Sequence, residues 1–422
     1  MNGSWKIGKP MKKILMVAIY YPPILGGTPL RTLKYSSAFS DMYETTVLSI
    51  SNFKDAGFPL DETLEIPKKI DVKRAFSLEL PIFLKPFGGA KKVRYGGARR
   101  AFYWVMPCRH IGFLPLGFFK ALSLSKDSNL IYTAYPAPTN LFIGYLLKKI
   151  RKKKWLIDMH DSWYPVVKNY QPTRVHRRVL HFLENLMLRN ADYIAVSTKQ
   201  TKKDILKEHP KIDEKKIYLL PQTVDCKYVE FIEPLKFEKF TIAYTGATAE
   251  DQNLEIIVKA INHGIDAKDI KKEDMQLVIA GPKNERLLEN LHSYDKHSIL
   301  KFLGPVPYRK SIGILKGADV LYFGLANKEH LKYAHPSKLF EYFCCNKPIL
   351  GSVPEGEAAE LIRSKKAGLV VTSGKVDALA GKIFKLYSDE KLRRELGKNA
   401  VRASTEYDTK KVIDQFIREV KI

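Results

Sequence analysis

Lys338 and Glu341 lie three positions apart in "YAHPSKLFEYFCCNKPIL", Tyr333 to Leu350, where a short apolar helix is expected after a Pro-Ser pair. Ser337 is an N-cap type, and Asn346 followed by Lys-Pro is a stop, so the helix should run from Lys338 to about Cys344, with a buried strand, "PILGSV", after it. A helix start offers unpaired N–H groups and partial positive charge, which suit a phosphate. Lys338 adds a full charge. Glu341 would be repelled by that phosphate, so it must meet something adjacent and neutral; vicinal hydroxyls, as on a ribose, suit a carboxylate one turn along. The spacing describes a nucleoside diphosphate, with Ser337, Lys338, Leu339 and Glu341 as donor contacts. The bland alternative is an i,i+3 surface salt bridge, which contributes only about 0.2–0.5 kcal/mol.

Other residue types point to the same chemistry. Gly26 and Gly27, after the first strand, either let backbone N–H groups approach a ligand or form a plain tight turn. Gly246, in "YTGA", is the matching close-approach position in the second half of the chain. Arg31, one turn into the next helix, faces the same cleft or is solvated. His160 ends the apolar strand "WLIDMH", so its imidazole should emerge at the C-terminal strand edge; the alternative is a core histidine with a satisfied hydrogen bond. Asp161 is placed to orient His160 or an acceptor hydroxyl, and these two are the expected catalytic pair. Asp158, facing the other way along the strand, should be structural. Trp163 and Tyr164 either stack on a sugar or pack a loop. No D-x-D occurs, so no metal is expected on the diphosphate; helix dipole and lysine would meet its charge. Nor is there a G-x-S-x-G, P-loop or H-E-x-x-H, and no cofactor is expected.

These residues need a frame. A chain of 422 residues, 45% apolar, is long for one core and points to two domains. Short continuous apolar runs alternate with amphipathic stretches, as in "KILMVAIY", "TPLRTLKYSSAFS" and "ETTVLSI", and the pattern restarts near residues 221–240. That pattern indicates parallel sheets covered on both faces: an α/β chain of two doubly wound, Rossmann-like domains facing a central cleft. The expected division is an extension over 1–10, a first Rossmann-like domain over 11–220, a second over 221–400, and a C-terminal helix in 401–422 that packs back on the first domain.

Four cysteines without C-x-x-C spacing argue against a disulfide framework or a zinc site and for a reducing compartment. The start of the chain is polar, and no run of about 18 apolar residues spans a bilayer. The net charge is +26. From Leu80 to Lys126 nine basic residues and no acidic one are threaded among aromatics and leucines, and "KKIRKKK" follows at Lys148–Lys154. The stretch is a solvated basic face, a nucleic-acid surface or a contact for anionic lipid. Its aromatic and leucine content favours lipid, placing the protein in the cytoplasm and peripherally on the cytoplasmic face of a membrane, without nucleic acid.

In their order these segments resemble a known family over about residues 11 to 415. "PSKLFEYFCCNKPIL" is similar to the donor-nucleotide segment of retaining GT-B glycosyltransferases of family four, in a branch that reads S-K-x-F-E-Y. "YYPPILGGTPLR" resembles the family's first glycine loop, "WLIDMHDSWYP" its acceptor-side segment, and "FTIAYTGATAEDQNLEIIVKAI" the opening of its second domain. The resemblance implies sugar transfer, with retention, from a nucleoside-diphosphate donor to a glycan or lipid-linked acceptor, in polysaccharide or glycoconjugate synthesis. It implies a donor on the second domain, met by Lys338 and Glu341 with Gly246 nearby, and an acceptor entering past Gly27 and His160. It also implies that His160 lies near the donor sugar while the leaving diphosphate assists deprotonation of the acceptor. Two departures stand out. The family's first glutamate is Tyr333 here, leaving Glu329 and His330 as loose candidates for the donor sugar, and the basic pair after the second domain's first strand is missing from "GATAEDQN". Two rivals remain: a sugar-nucleotide epimerase of the same shape, which needs acid–base carboxylates, and a basic nucleic-acid-binding protein, whose affinity would fall steeply with salt.

Overall fold

The computed structural model describes residues 11–54, 58–78, 108, 110–333 and 336–422. The expected N-terminal extension and most of the basic stretch (79–107 and 109) lie outside them. The chain divides into two compact units, Met1–Pro221 with Val412–Ile422, and Gln222–Lys411.

The first unit holds seven parallel strands: β1 (Lys12–Val17), β2 (Tyr43–Ile50), β3 (Ile70–Ala75), β4 (Leu130–Ala134), β5 (Lys154–Met159), β6 (Tyr193–Val196) and β7 (Ile217–Leu219). Their order is β3-β2-β1-β4-β5-β6-β7, which reverses direction at β1. The helices are α1 (Gly27–Phe39), α2 (Leu114–Leu124), α3 (Pro138–Arg151), α4 (Trp163–Val167), α5 (Arg174–Asn190) and α6 (Lys199–Glu208). Strand alternation fills both faces of the sheet. Leu15, Val17, Ile131 and Ile157 point into one buried cluster, while Ile14, Met16, Tyr132 and Leu156 point into the other.

The second unit repeats the plan with β8 (Phe240–Thr245), β9 (Met275–Ala280), β10 (Leu300–Phe302), β11 (Val320–Gly324), β12 (Ile349–Val353) and β13 (Gly368–Thr372), in the order β10-β9-β8-β11-β12-β13. Its helices are α7 (Cys226–Glu230), α8 (Leu254–Asp266), α9 (Glu285–Tyr294), α10 (Tyr308–Gly317), α11 (Ser337–Cys344), α12 (Glu357–Ser364), α13 (Val376–Ser388) and α14 (Glu390–Ser404). A final helix, α15 (Thr409–Val420), leaves this unit at Lys411. Ile413, Phe416, Ile417 and Val420, at helical spacing, then join Ile14, Met16 and Leu156 in the first unit's core.

Two expectations change here. Cys226 and Cys344, 118 positions apart, are bonded as a disulfide with Cα atoms 5.5 Å apart, although the cysteine spacing argued against one. The pair is made by α7 packing on α11, which no local spacing records. Arg31 is not solvated; it is 3% exposed. Its Nε and Nη2 donate to the two carboxylate oxygens of Asp158 at 3.0 and 2.9 Å, and further bonds reach the carbonyls of Leu220 and Pro221 at 2.9 and 3.3 Å. Tyr132 Oη adds a 2.6 Å bond to Asp158.

This network ties α1, β4, β5 and the segment after β7 into one piece. Burial alone would raise the Asp158 carboxyl, but the charge and hydrogen bonds of Arg31 outweigh it and hold the group below its ordinary 3.8. The pair's contribution is therefore complete above that value and lost as pH falls through the folded value. Asp158→Asn, which leaves a buried guanidinium without its counter-charge, should cost about 3–5 kcal/mol. Thermal melts should show a large fall in Tm for the variant near neutral pH, narrowing in acid. A Tm within a degree of wild type would refute the structural role.

Candidate functional site

In the second unit the strand order reverses at β8, which has β9 on one side and β11 on the other. Crevices at such reversals are where doubly wound sheets take ligands. Gly246 follows β8 with φ of 130°, a region that disfavours any side chain, and its N–H donates to the Ala280 carbonyl at 2.9 Å. A Cβ at Gly246 would lie 3.0 Å from Lys338 Nζ, so the glycine leaves the ammonium its space. Lys338 Nζ donates to Tyr244 Oη at 2.6 Å and to Gln252 Oε1 at 2.8 Å, and lies 4.2 Å from the centre of the Tyr244 ring. Burial pulls the ammonium down to about 7, with Glu341 opposing the shift. Neutral ligands and a π face hold this charge, and among the described residues no carboxylate hydrogen-bonds it.

The helix carrying Lys338 starts one residue earlier than expected. Pro336, at φ −62° and ψ 132°, is the N-cap, its carbonyl accepts from Leu339 N–H at 3.1 Å, and Ser337 is the first helical residue without a side-chain cap. Proline's fixed φ sets the turn that the serine hydroxyl was expected to make. Leu339 has a fully buried side chain in the core, so only its backbone lies at the helix start. The helix stops at Cys345, followed by Asn346 in the left-handed region at φ 56°, the stop read from Asn-Lys-Pro.

Glu341 is 9% exposed and accepts a hydrogen bond from Tyr308 Oη at 3.0 Å. Tyr308, at the start of α10, was missed in the sequence; a tyrosine 33 positions away carries no local signal. Tyr333, Glu329 and His330 form an exposed turn, with Glu329 paired to Lys332 at 2.6 Å.

In the first unit the order reverses at β1, and Gly26 and Gly27 follow that strand. Gly26 is the N-cap of α1 at φ 148°, and Gly27 opens the helix. An added Cβ at Gly26 would meet only Pro29 Cδ, at 3.6 Å, so backbone conformation rather than crowding requires the glycine.

His160 follows β5. Its Nε2 stands 3.5 Å from Asp161 Oδ2, and its Nδ1 is buried without a hydrogen-bond partner. Burial lowers the imidazole's proton affinity, against the pull of Asp161, so the ring is neutral near pH 7. Asp161 is mostly exposed.

Trp163 is 2% exposed and belongs to the hydrophobic core, so of its two expected roles the structure gives it loop packing. Its N–H and that of Tyr164 donate to Glu184 Oε1 at 3.0 and 3.1 Å, while Glu184 Oε2 meets His209 Nε2 at 2.8 Å. Glu184 thus pins the segment after His160. Its signal was present in the sequence: it shares the apolar stripe of α5 with Leu180, Met187 and Leu188. Among the described residues no group of three or more His, Cys, Asp or Glu side chains could hold a metal, and no helix is long and apolar enough to cross a membrane.

Comparison with known proteins bears on what these arrangements serve. Residues 229–403 match the family described as glycosyl transferases group 1. An uncharacterized glycosyltransferase of Methanocaldococcus jannaschii, MJ1069, is 26% identical over 284 residues, covering 65% of this chain and 70% of that protein. Sucrose-phosphate synthase from Thermosynechococcus elongatus shares the fold with a TM-score of 0.68 at 17% identity, over 97% of this chain and 98% of that one. Anabaena HepE in complex with UDP-glucose does so at 0.64 and 15%, over 97% and 99%. Neither the epimerase nor the nucleic-acid reading is favoured. Over residues 229–403 the chain is similar to group 1 glycosyl transferases, and its two parallel-strand α/β sheets have the GT-B architecture of these solved structures.

Proposed function

We propose that this chain transfers a sugar, with retention, from a nucleoside-diphosphate donor to a glycan or lipid-linked acceptor in cell-surface polysaccharide or glycoconjugate synthesis. The observation that carries this is Lys338: a half-buried ammonium at a helix start, fitted against Gly246 and titrating near 7. A diphosphate there restores the charge that burial disfavours. Ser337 and the backbone of Leu339 extend the phosphate contact, and Glu341 takes the ribose hydroxyls. Because lysine and helix start meet the diphosphate's charge, turnover should survive a chelator. His160 is assigned a hydrogen bond to the donor sugar, with Asp161 beside it, and Gly26 and Gly27 leave room for the ligand. The acceptor's proton passes to the leaving diphosphate oxygen rather than to the imidazole.

A screen of nucleoside diphosphates and their sugars tests the reading. A true donor at 100 times its Kd should stabilise the wild type by about 2.7 kcal/mol. Glu341→Ala and Lys338→Met should each lose most of that gain, and EDTA should leave the transfer rate unchanged. A wild type indifferent to every such ligand would reject the reading.

We also infer peripheral binding to an anionic membrane surface. Support comes from α5, which exposes Val175, Val179 and Phe182 beside Arg174, Arg178 and Arg189 while its one acidic residue, Glu184, is buried. Phe182→Asp should reduce sedimentation with vesicles containing anionic lipid by more than a lysine-to-glutamate change on the second unit. Equal losses would leave only net charge at work and reject a docking face.

A further inference from the structure

Glu341 is held from outside its own helix. Tyr308 Oη donates to its Oε1 at 3.0 Å, and the Tyr308 ring lies against that of Tyr228, with centroids 5.8 Å apart and planes 9° from parallel. Tyr228 belongs to α7, and Cys226 of the same short helix is bonded to Cys344, the last residue of α11. The links close a ring: Glu341 to Tyr308, Tyr308 to Tyr228, and α7 back to α11 through the disulfide. Burial, and next the Glu341 carboxylate, push the Tyr308 hydroxyl well above its ordinary range, so it stays a donor. A carboxylate with one lone pair taken by a fixed phenol has its plane set before any ligand arrives.

Resting on the assignment of Glu341 to the ribose, we propose that Tyr308 is a positioning residue that aims this carboxylate at two vicinal hydroxyls. The Cys226–Cys344 bond keeps Tyr308 in place through Tyr228. The chemistry selected is the ribose diol, and a 2′-deoxyribose, with one hydroxyl fewer, should be bound less well. Breaking the bond with dithiothreitol, which leaves two protein thiols and a cyclic disulfide of the reagent, should blunt that selection.

The test is calorimetric titration of the full oxidised chain with UDP, GDP and ADP and with their 2′-deoxy counterparts. Wild type should favour the ribose form of whichever base it binds. Tyr308→Phe should cut that preference about tenfold, weakening the ribose form far more than the deoxy form, which keeps one of the two hydroxyls; a general loss of structure would weaken both forms alike. Tyr228→Leu, Cys226→Ser and the reduced wild type should move the same way. Tyr308→Phe combined with Cys226→Ser should lose no more than Tyr308→Phe alone. An intact preference in Tyr308→Phe overturns the positioning role and leaves the donor reading standing. Failure of the wild type to bind any of the six removes both. A preference that survives Cys226→Ser, or free thiols at Cys226 and Cys344 in the purified protein, overturns the part given to the bond.

Discussion

The second unit is organised around an ammonium that it half removes from water. Lys338 sits on a tyrosine face and two neutral oxygens, in a space that exists because residue 246 has no side chain. Such a position disfavours the charged form and pulls the group down to about 7. On the proposed reading an incoming diphosphate reverses the balance, and affinity for the donor is drawn partly from a charge whose desolvation was completed when the protein folded.

Strand order turns around at β1 in the first unit and at β8 in the second, and glycines in unusual backbone conformations follow both strands. Buried networks hold the segments nearby. Arg31 and Asp158 lock α1 to the strand that ends before His160, and Glu184 caps the turn that leaves it. In the second unit, Tyr308 and the Cys226–Cys344 bond brace the helix that bears Lys338 and Glu341. Under the proposed function these supports lie outside the reacting groups and set their directions.

What could be read in advance was what local pattern controls. Apolar runs marked the strands, and helical spacing put Lys338 and Glu341 on one turn. Asp158 was read as structural, and its bidentate bond to Arg31 gives it that role, although positions 158 and 160 share a strand face and parity alone does not separate them. What escaped depends on partners distant in the chain. Arg31 and Asp158 are 127 positions apart, and Cys226 and Cys344 are 118 apart. Tyr308 has no feature that marks it before α10 and α11 are packed. The side chain of Trp163 was ambiguous because a loop aromatic serves a sugar or a core equally well until its burial is seen. The Ser337 cap failed for a smaller reason: proline beside it already fixed the turn.

The ammonium at Lys338 gives the sharpest test. With a pKa near 7 it is charged below that pH and largely neutral at pH 8.5, so a bound diphosphate must recruit a proton there. Titration of the best-binding nucleoside-diphosphate sugar at pH 8.5, in buffers of different ionisation enthalpy, should report uptake approaching one proton, absent in Lys338→Met and small at pH 6. Tight binding with no proton uptake at pH 8.5, or the same uptake in Lys338→Met, would contradict the account.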